Sequence, residues 1–314
     1  MGILPETIKR MQSSTSLVLL ITFAIFIIIF ARVNIWVVIE ALYSINKLYL
    51  IASSIPLIIS VIIQIKRWQI LLNAMGYVIS YSKSFCVIMG ALPLAAITPS
   101  HAGDVIRAYY LRQDIPKEET IGGVITERMF DVAALIILSL IIMIYYKNYE
   151  FILIISSISV ILIILLCIVV YAPTYALLQR ISKRKAEAFS LSLRKLTRNS
   201  IAFSLTSICT IAIWLLSAMQ VTLLFYAMDI EVPFLFVMGN IPLAIIIGMI
   251  PISFGGMGTR DAMIMVLFAG YGTPAQLVAV GLLFSFTRYW MLSLIGIPFM
   301  RRMLHKDNAA KILR

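Results

Sequence analysis

The sequence predicts an all-α polytopic membrane protein, with about six transmembrane helices plus two re-entrant helical hairpins arranged as a 3+3 inverted repeat. Three observations predict it. Apolar residues make up 61% of the 314 and charged ones only 13%, with a mean hydropathy of +1.01, which excludes an ordinary soluble domain. Basic residues gather in a few segments between apolar runs. Two segments rich in Pro and Gly, each carrying an Asp and an Arg, stand at matching places in the two halves.

Seven apolar runs reach or approach the ~20 residues that cross a bilayer: 17–31, 48–65, 129–146, 151–171, 201–228, 234–250 and 277–299. Lys9 and Arg10 precede the first, as in a signal peptide. That run is long, however, and Arg32 rather than a small-residue cleavage site follows it, so it reads as a retained helix. Lys66, Arg67 and Trp68 close the second run and read as an interfacial anchor. The longest polar stretch, 172–200, is too short to bury a core of its own, so residues 1–314 form one integral membrane domain.

Cytoplasmic segments carry an excess of Lys and Arg. Lys9 and Arg10, the segment 172–200 with seven basic residues, and the tail 300–314 are therefore expected in the cytoplasm, whereas the turns near Lys147 and Asp229 face outward. Cytoplasmic termini require an even number of crossings. Runs 85–97 with 105–111, and 234–250 with 263–271, are then hairpins that enter and leave on one side, and six full crossings remain. Repeats at about 1–147 and 150–300 each read helix, helix, hairpin, helix, and an odd number of crossings per half inverts the second copy. The stretch 177–197 mixes apolar and basic residues, as a helix lying on an anionic leaflet does.

The hairpin segments share a pattern. The first has Pro93-Leu94-Ala95, then Pro99, Gly103, Asp104 and Arg107; the second has Pro242-Leu243-Ala244, then Pro251, Ser253, Gly255, Gly256, Gly258, Arg260 and Asp261. Broken membrane helices in corresponding positions of two halves point to a transport site near the midplane. Ionisable side chains at such depth cost several kcal/mol, roughly 2.5 to 3.5 on insertion scales, unless they meet water or a partner. Glu127, Arg128 and Asp131 follow the first hairpin and Arg288 the second. Glu127 and Asp131 share a helix face, with Arg128 turned roughly 100° away, and Asp104 shares a face with Arg107.

Two readings of these charges stand side by side. In one, Asp104, Glu127, Asp131 and Asp261 form structural ion pairs with arginines of other elements, or couple transport to a proton gradient. In the other, Arg107, Arg128, Arg260 and Arg288 bind an anion, since guanidinium stays charged and matches phosphate oxygens with paired hydrogen bonds. Free N–H groups where helices restart after Gly103 and Gly258 would add partial positive charge, and small residues (Gly103, Ser253, Gly256, Gly258) let a headgroup approach the backbone.

Other signals are bland. The net charge of +12 sits beside membrane helices, so anionic lipid is the expected partner and nucleic acid is not. Cys86, Cys167 and Cys209 have no metal-ligand spacing, and no cofactor is expected. The glycines at 255–258 lack the following Lys and the preceding strand of a phosphate loop. His101 reads as a hydrogen-bonded neighbour of the first break rather than a proton relay.

Pro99-x3-Gly103-Asp104-x2-Arg107, Glu127-Arg128-x2-Asp131 and Pro251-x-Ser253-x-Gly255-Gly256-x-Gly258-x-Arg260-Asp261 together resemble the flippase-like, lysylphosphatidylglycerol synthase transmembrane family. The resemblance spans nearly the whole chain. Asp stands at 104 and 261, where the family pattern usually has Glu. It implies a protein of the cell membrane that moves lipids with charged or glycosylated headgroups between leaflets. Only 300–314 lies past the last helix, so the cytoplasmic aminoacyltransferase domain of the full-length synthases is expected to be absent. The expected function is flippase or scramblase activity on an anionic phospholipid or polyprenyl-phosphate-linked lipid, without enzymatic chemistry. The alternatives are a non-catalytic subunit working with envelope-biosynthesis partners, or an intramembrane lipid-linked transferase.

Overall fold

The computed structural model describes residues 20–31, 33–98, 102–147, 190–191, 194–250, 253 and 255–312, with side chains as far as His305. The expected crossing 151–171, most of the basic segment 172–200, and residues Lys9, Arg10, Pro99, His101, Cys167 and Pro251 lie outside the described residues. Among the described residues all regular structure is helical. In chain order the helices are α1 (Leu20–Ala31), α2 (Ile35–Tyr43), α3 (Lys47–Ala52), α4 (Ser54–Ala74), α5 (Tyr81–Ala96), α6 (Ile106–Tyr110) and α7 (Lys117–Tyr145). They continue with α8 (Ser200–Ala227), α9 (Phe234–Gly248), α10 (Thr259–Leu267), α11 (Pro274–Ser285) and α12 (Leu292–Ile312).

Four helical stretches among the described residues are long and apolar enough to cross a membrane: Lys47–Ala74, Lys117–Tyr145, Ser200–Ala227 and Pro274–His305. α1 and α2, bent by 84°, add a fifth if they form one span. Side-chain caps set several starts. Asn46 accepts from the Leu48 N–H at 3.1 Å and Asn199 from the Ala202 N–H at 3.1 Å, while Thr273 and Gln276 form a capping box around Pro274.

Two boundaries differ from the sequence reading. α4 runs through Lys66, Arg67 and Trp68 to Ala74, and Arg67 is only 2% exposed, so it is no interfacial anchor. α7 begins at Lys117, which puts Glu127, Arg128 and Asp131 well inside the helix rather than at its mouth. The physical reason is the same in both. A hydropathy run stops at a charge, whereas a helix continues wherever that charge meets an opposite one.

α5 and α9 have 16 and 15 residues, so they extend only ~24 and ~22 Å against a hydrocarbon core of ~30 Å. Each is followed by a break and a shorter element that packs back on it: the 3-10 helix Ala102–Val105 with α6 after α5, and α10 after α9. Both contain Met-Gly-x-x-Pro-Leu-Ala, at Met89 to Ala95 and at Met238 to Ala244. These shared glycines make close helix crossings. Gly90 faces the Met300 backbone of α12, where a Cβ would stand 3.3 Å from its nitrogen. Pro93 cannot donate to the Met89 carbonyl, and Gly296 of α12 lies against that oxygen. In α9, Gly239 lies against Ile142, and its carbonyl accepts from Ser139 Oγ of α7 at 3.0 Å. Thus α5 packs on the helix after the second hairpin, α9 on the helix after the first, and α4 on α8.

A buried ion-pair ring beside a small cavity

Six charged side chains close into a ring. Arg107 of α6 donates to Asp104 at 2.8 Å and to Glu127 at 2.5 Å. Glu127 also accepts from Arg67 of α4 at 2.8 Å, and Arg67 reaches Asp131 at 2.6 Å. Arg128 stands 3.6 Å from Asp131 and donates to Asp104, completing the circuit. Three guanidiniums alternate with three carboxylates, so the ring is neutral. Five of its members are 3% exposed or less. Removing a charge from water costs several kcal/mol, and paired opposite charges with further hydrogen bonds are what offset it. Those further bonds come from α8, whose Thr210 hydroxyl lies 2.9 Å and Trp214 Nε1 3.2 Å from ring atoms. Arg107 also stacks 5.0 Å above the Trp68 ring.

The second hairpin is built differently. Gly255, Gly256 and Gly258 have φ of 53°, 74° and 82°, in the region that side chains disfavour. A Cβ at Gly256 would stand 2.6 Å from the Gly248 carbonyl oxygen. Ser253 meets the Thr259 hydroxyl at 2.9 Å, within the turn. Asp261 accepts from the Gly258 N–H at 3.0 Å and from Ser285 Oγ at 3.1 Å, so the start of α10 already holds a carboxylate of its own chain. Arg260 donates to Ser285 at 2.6 Å and to the Gly255 carbonyl at 3.3 Å, and lies over the Tyr289 ring at 4.5 Å.

Arg288 sits in a π-helical turn, Phe286–Met291, between α11 and α12. Such widened turns often occur at functional sites. Arg288 pairs with no carboxylate among the described residues. Its Nη1 has two long contacts, Ser60 Oγ at 3.3 Å and Gln220 Oε1 at 3.5 Å, and the guanidinium is 5.9 Å from the Trp214 ring centre. Between the ring and the second hairpin lies a cavity of about 90 Å³ bordered by Arg67, Asp104, Arg128, Asp131, Arg260 and Arg288.

Of the four arginines singled out in the sequence, Arg128, Arg260 and Arg288 border this cavity. Arg107 does not; it lies one layer behind, both Nη atoms committed to carboxylates. The N–H groups after the breaks are also engaged, because the Gly103 N–H donates to Thr98 Oγ1 at 2.7 Å and that of Gly258 to Asp261. Gly103, Ser253, Gly256 and Gly258 thus shape the turns by close packing. Sequence reasoning missed Arg67 and Gln220. The signal for Arg67 was a polar stripe in an apolar helix: Ser60, Gln64 and Arg67 recur on one face of α4.

The transmembrane region of lysylphosphatidylglycerol synthase is the family whose pattern matches residues 15–296 of the chain. A curated relative, the UPF0104 membrane protein MJ1595 of Methanocaldococcus jannaschii, is 23% identical over 315 aligned positions that cover 90% of this chain and 93% of the relative. The match runs through both hairpins, the ion-pair ring and the cavity-lining arginines, and the chain belongs to the lysylphosphatidylglycerol synthase transmembrane-region family.

Proposed function

We propose that the protein translocates an anionic, phosphate-bearing lipid between leaflets, with the headgroup passing through the cavity between the two hairpins. The observation that carries this reading is the cavity wall. Neutral ring members line one side, and Arg260 and Arg288, backed by the single carboxylate of Asp261, line the other. A positive surplus in a low-dielectric site attracts an anion strongly.

Other features support the reading. The reciprocal crossings, α5 on α12 and α9 on α7, with the same Met-Gly-x-x-Pro-Leu-Ala stretch in each, are what an inverted repeat with two re-entrant hairpins would produce. A multi-pass place in the cell membrane, with both termini cytoplasmic, goes with this reading. No nucleotide-binding motif supplies energy, so the lipid's own imbalance or an ion gradient drives movement. Glu127 and Asp131, the pair that acid–base chemistry would use, both accept from Arg67, which favours transport over enzymatic turnover. A cavity of about 90 Å³ holds only a few waters or one phosphate group, so the described conformation is a closed one.

The test is leaflet translocation of fluorescent phospholipid and polyprenyl-phosphate analogues in proteoliposomes, comparing wild type with Arg288→Gln and Arg260→Ala. Movement of one lipid class by wild type, lost at least tenfold in equally folded variants, is the expected result. Wild-type protein that moves neither lipid above empty vesicles overturns the proposal.

A further inference from the structure

We infer that the cavity is charge-matched to a phosphodiester carrying a single negative charge, and selects against phosphate monoesters and diphosphates. The inference rests on the translocation reading and narrows its substrate class. Five guanidiniums (Arg67, Arg107, Arg128, Arg260 and Arg288) stand with four carboxylates in and around the cavity. The ring is neutral by itself. Asp261 lies beside Arg260, with Oδ1 3.8 Å from Nε. Among the described residues one positive charge remains, that of Arg288.

The geometry agrees with the count. Arg288 forms no ion pair with a carboxylate among the described residues; its Nη1 meets Ser60 and Gln220 at the long end of hydrogen-bond range, and Tyr289 and the Trp214 face lie beside it. Arg260, which also borders the cavity, has a buried Nε without a hydrogen-bond partner, 3.8 Å from Asp261 Oδ1. A buried donor without an acceptor costs about 1–3 kcal/mol, and an oxygen of a bound anion would satisfy it. A site of net charge +1 becomes neutral on binding a monoanion. A phosphate monoester carries about −1.5 to −2 at pH 7 and a diphosphate more, so either would leave uncompensated negative charge in a region where it costs several kcal/mol. Phospholipids and sugar-phosphate-polyprenol lipids both present a phosphodiester, as does a free dialkyl phosphate. Polyprenyl phosphate and diphosphate do not.

Gln220 gives a test, since Gln→Glu changes charge at nearly constant shape, losing the Nε2 donation to Thr287 Oγ1 at 3.1 Å. Its Oε1 is 3.5 Å from Arg288, and a carboxylate there would cancel the surplus. Binding would be measured by calorimetry on the purified full chain in neutral detergent. The probes are dihexanoyl phosphatidylglycerol, dimethyl phosphate and farnesyl diphosphate. Dihexanoyl phosphatidylglycerol is expected to bind at least tenfold more tightly than farnesyl diphosphate. Gln220→Glu should weaken it at least tenfold, with folding checked by thermal unfolding. Competition by dimethyl phosphate identifies the phosphodiester itself as the ligand from any source; binding of the lipid alone identifies a lipid headgroup, and both results support the inference. If Gln220→Glu fails to fold, Arg288→Gln makes the same unit change and is read in the same way. Farnesyl diphosphate binding as tightly as the phosphodiester, or phosphodiester binding indifferent to the charge change, overturns the inference while anion translocation stands. Wild-type protein that binds neither probe overturns both.

Discussion

Arg67 and Arg288 show how differently two buried arginines of one protein are used. Arg67 donates to Glu127 and Asp131 and holds the ring together across α4 and α7. Its replacement by Leu leaves two carboxylates facing one another without their shared cation. Breaking a buried ionic contact from one side costs about 3–5 kcal/mol, so Arg67→Leu should lower the melting temperature in detergent sharply and reduce yield. Arg288→Gln removes a charge that forms no ion pair among the described residues, and its thermal stability should stay near that of wild type while transport is lost. Equal melting temperatures for Arg67→Leu and wild type would show that the ring contributes no stability. Arg107 belongs with Arg67 in this comparison. The sequence suggested it as an anion ligand, but it is sealed beneath Glu127 and Asp104.

Among the elements, the two hairpins reach the same form by different chemistry. The first is pinned by ion pairs and by Gly103, which packs directly on the Leu94 backbone. The second is pinned by three positive-φ glycines and a carboxylate that caps α10. A Cβ at Gly256 meets both a disfavoured φ and a backbone oxygen, so Gly256→Ala should cost about 1–3 kcal/mol or more and disturb transport. Gly76, with φ of 97° and nothing within 4 Å of a Cβ, is the matching control. Its Ala variant bears only the backbone strain, and a thermal shift as large as that at Gly256 would show that close approach to Gly248 contributes nothing. The helix crossings follow similar logic. Bulk at Gly90, Gly239 or Gly296 forces apart the helix pairs that carry the reciprocal packing.

At the scale of the molecule, the inverted repeat proposed above predicts opposite sides for two loops. In a background with Cys86, Cys167 and Cys209 replaced by Ser, Glu231→Cys should react with a membrane-impermeant maleimide added to intact cells. Val78→Cys, 90% exposed in its loop, should react only after permeabilisation. Labelling of both from the same side would exclude the inverted repeat. The ring also bears on energy coupling. Asp104, Glu127 and Asp131 are each shared between two guanidiniums, and Asp261 is taken up by a backbone N–H and Ser285. With all four carboxylates engaged by donors, an imposed pH gradient should leave the translocation rate unchanged. A rate that follows the gradient would mean that the ring opens during transport.

Composition and periodicity by themselves determined that this chain is a helical membrane protein, because apolar runs of such length have few other stable environments. They also pointed to the breaks that follow α5 and α9, since Gly and Pro act locally, but not to those between α1, α2 and α3. The motif residues flagged both hairpins and, at Asp104, Arg107, Glu127, Arg128 and Asp131, five of the six ring members. What only the tertiary structure decided is the role of each charge. Arg67 reads as a helix end until Glu127 and Asp131 are seen opposite it, 60 and 64 residues away. Arg107 and Arg288 look alike in sequence, yet one is neutralised and the other is not. Coulomb energy depends on distance and local dielectric, and both are properties of packing between helices rather than of position along the chain.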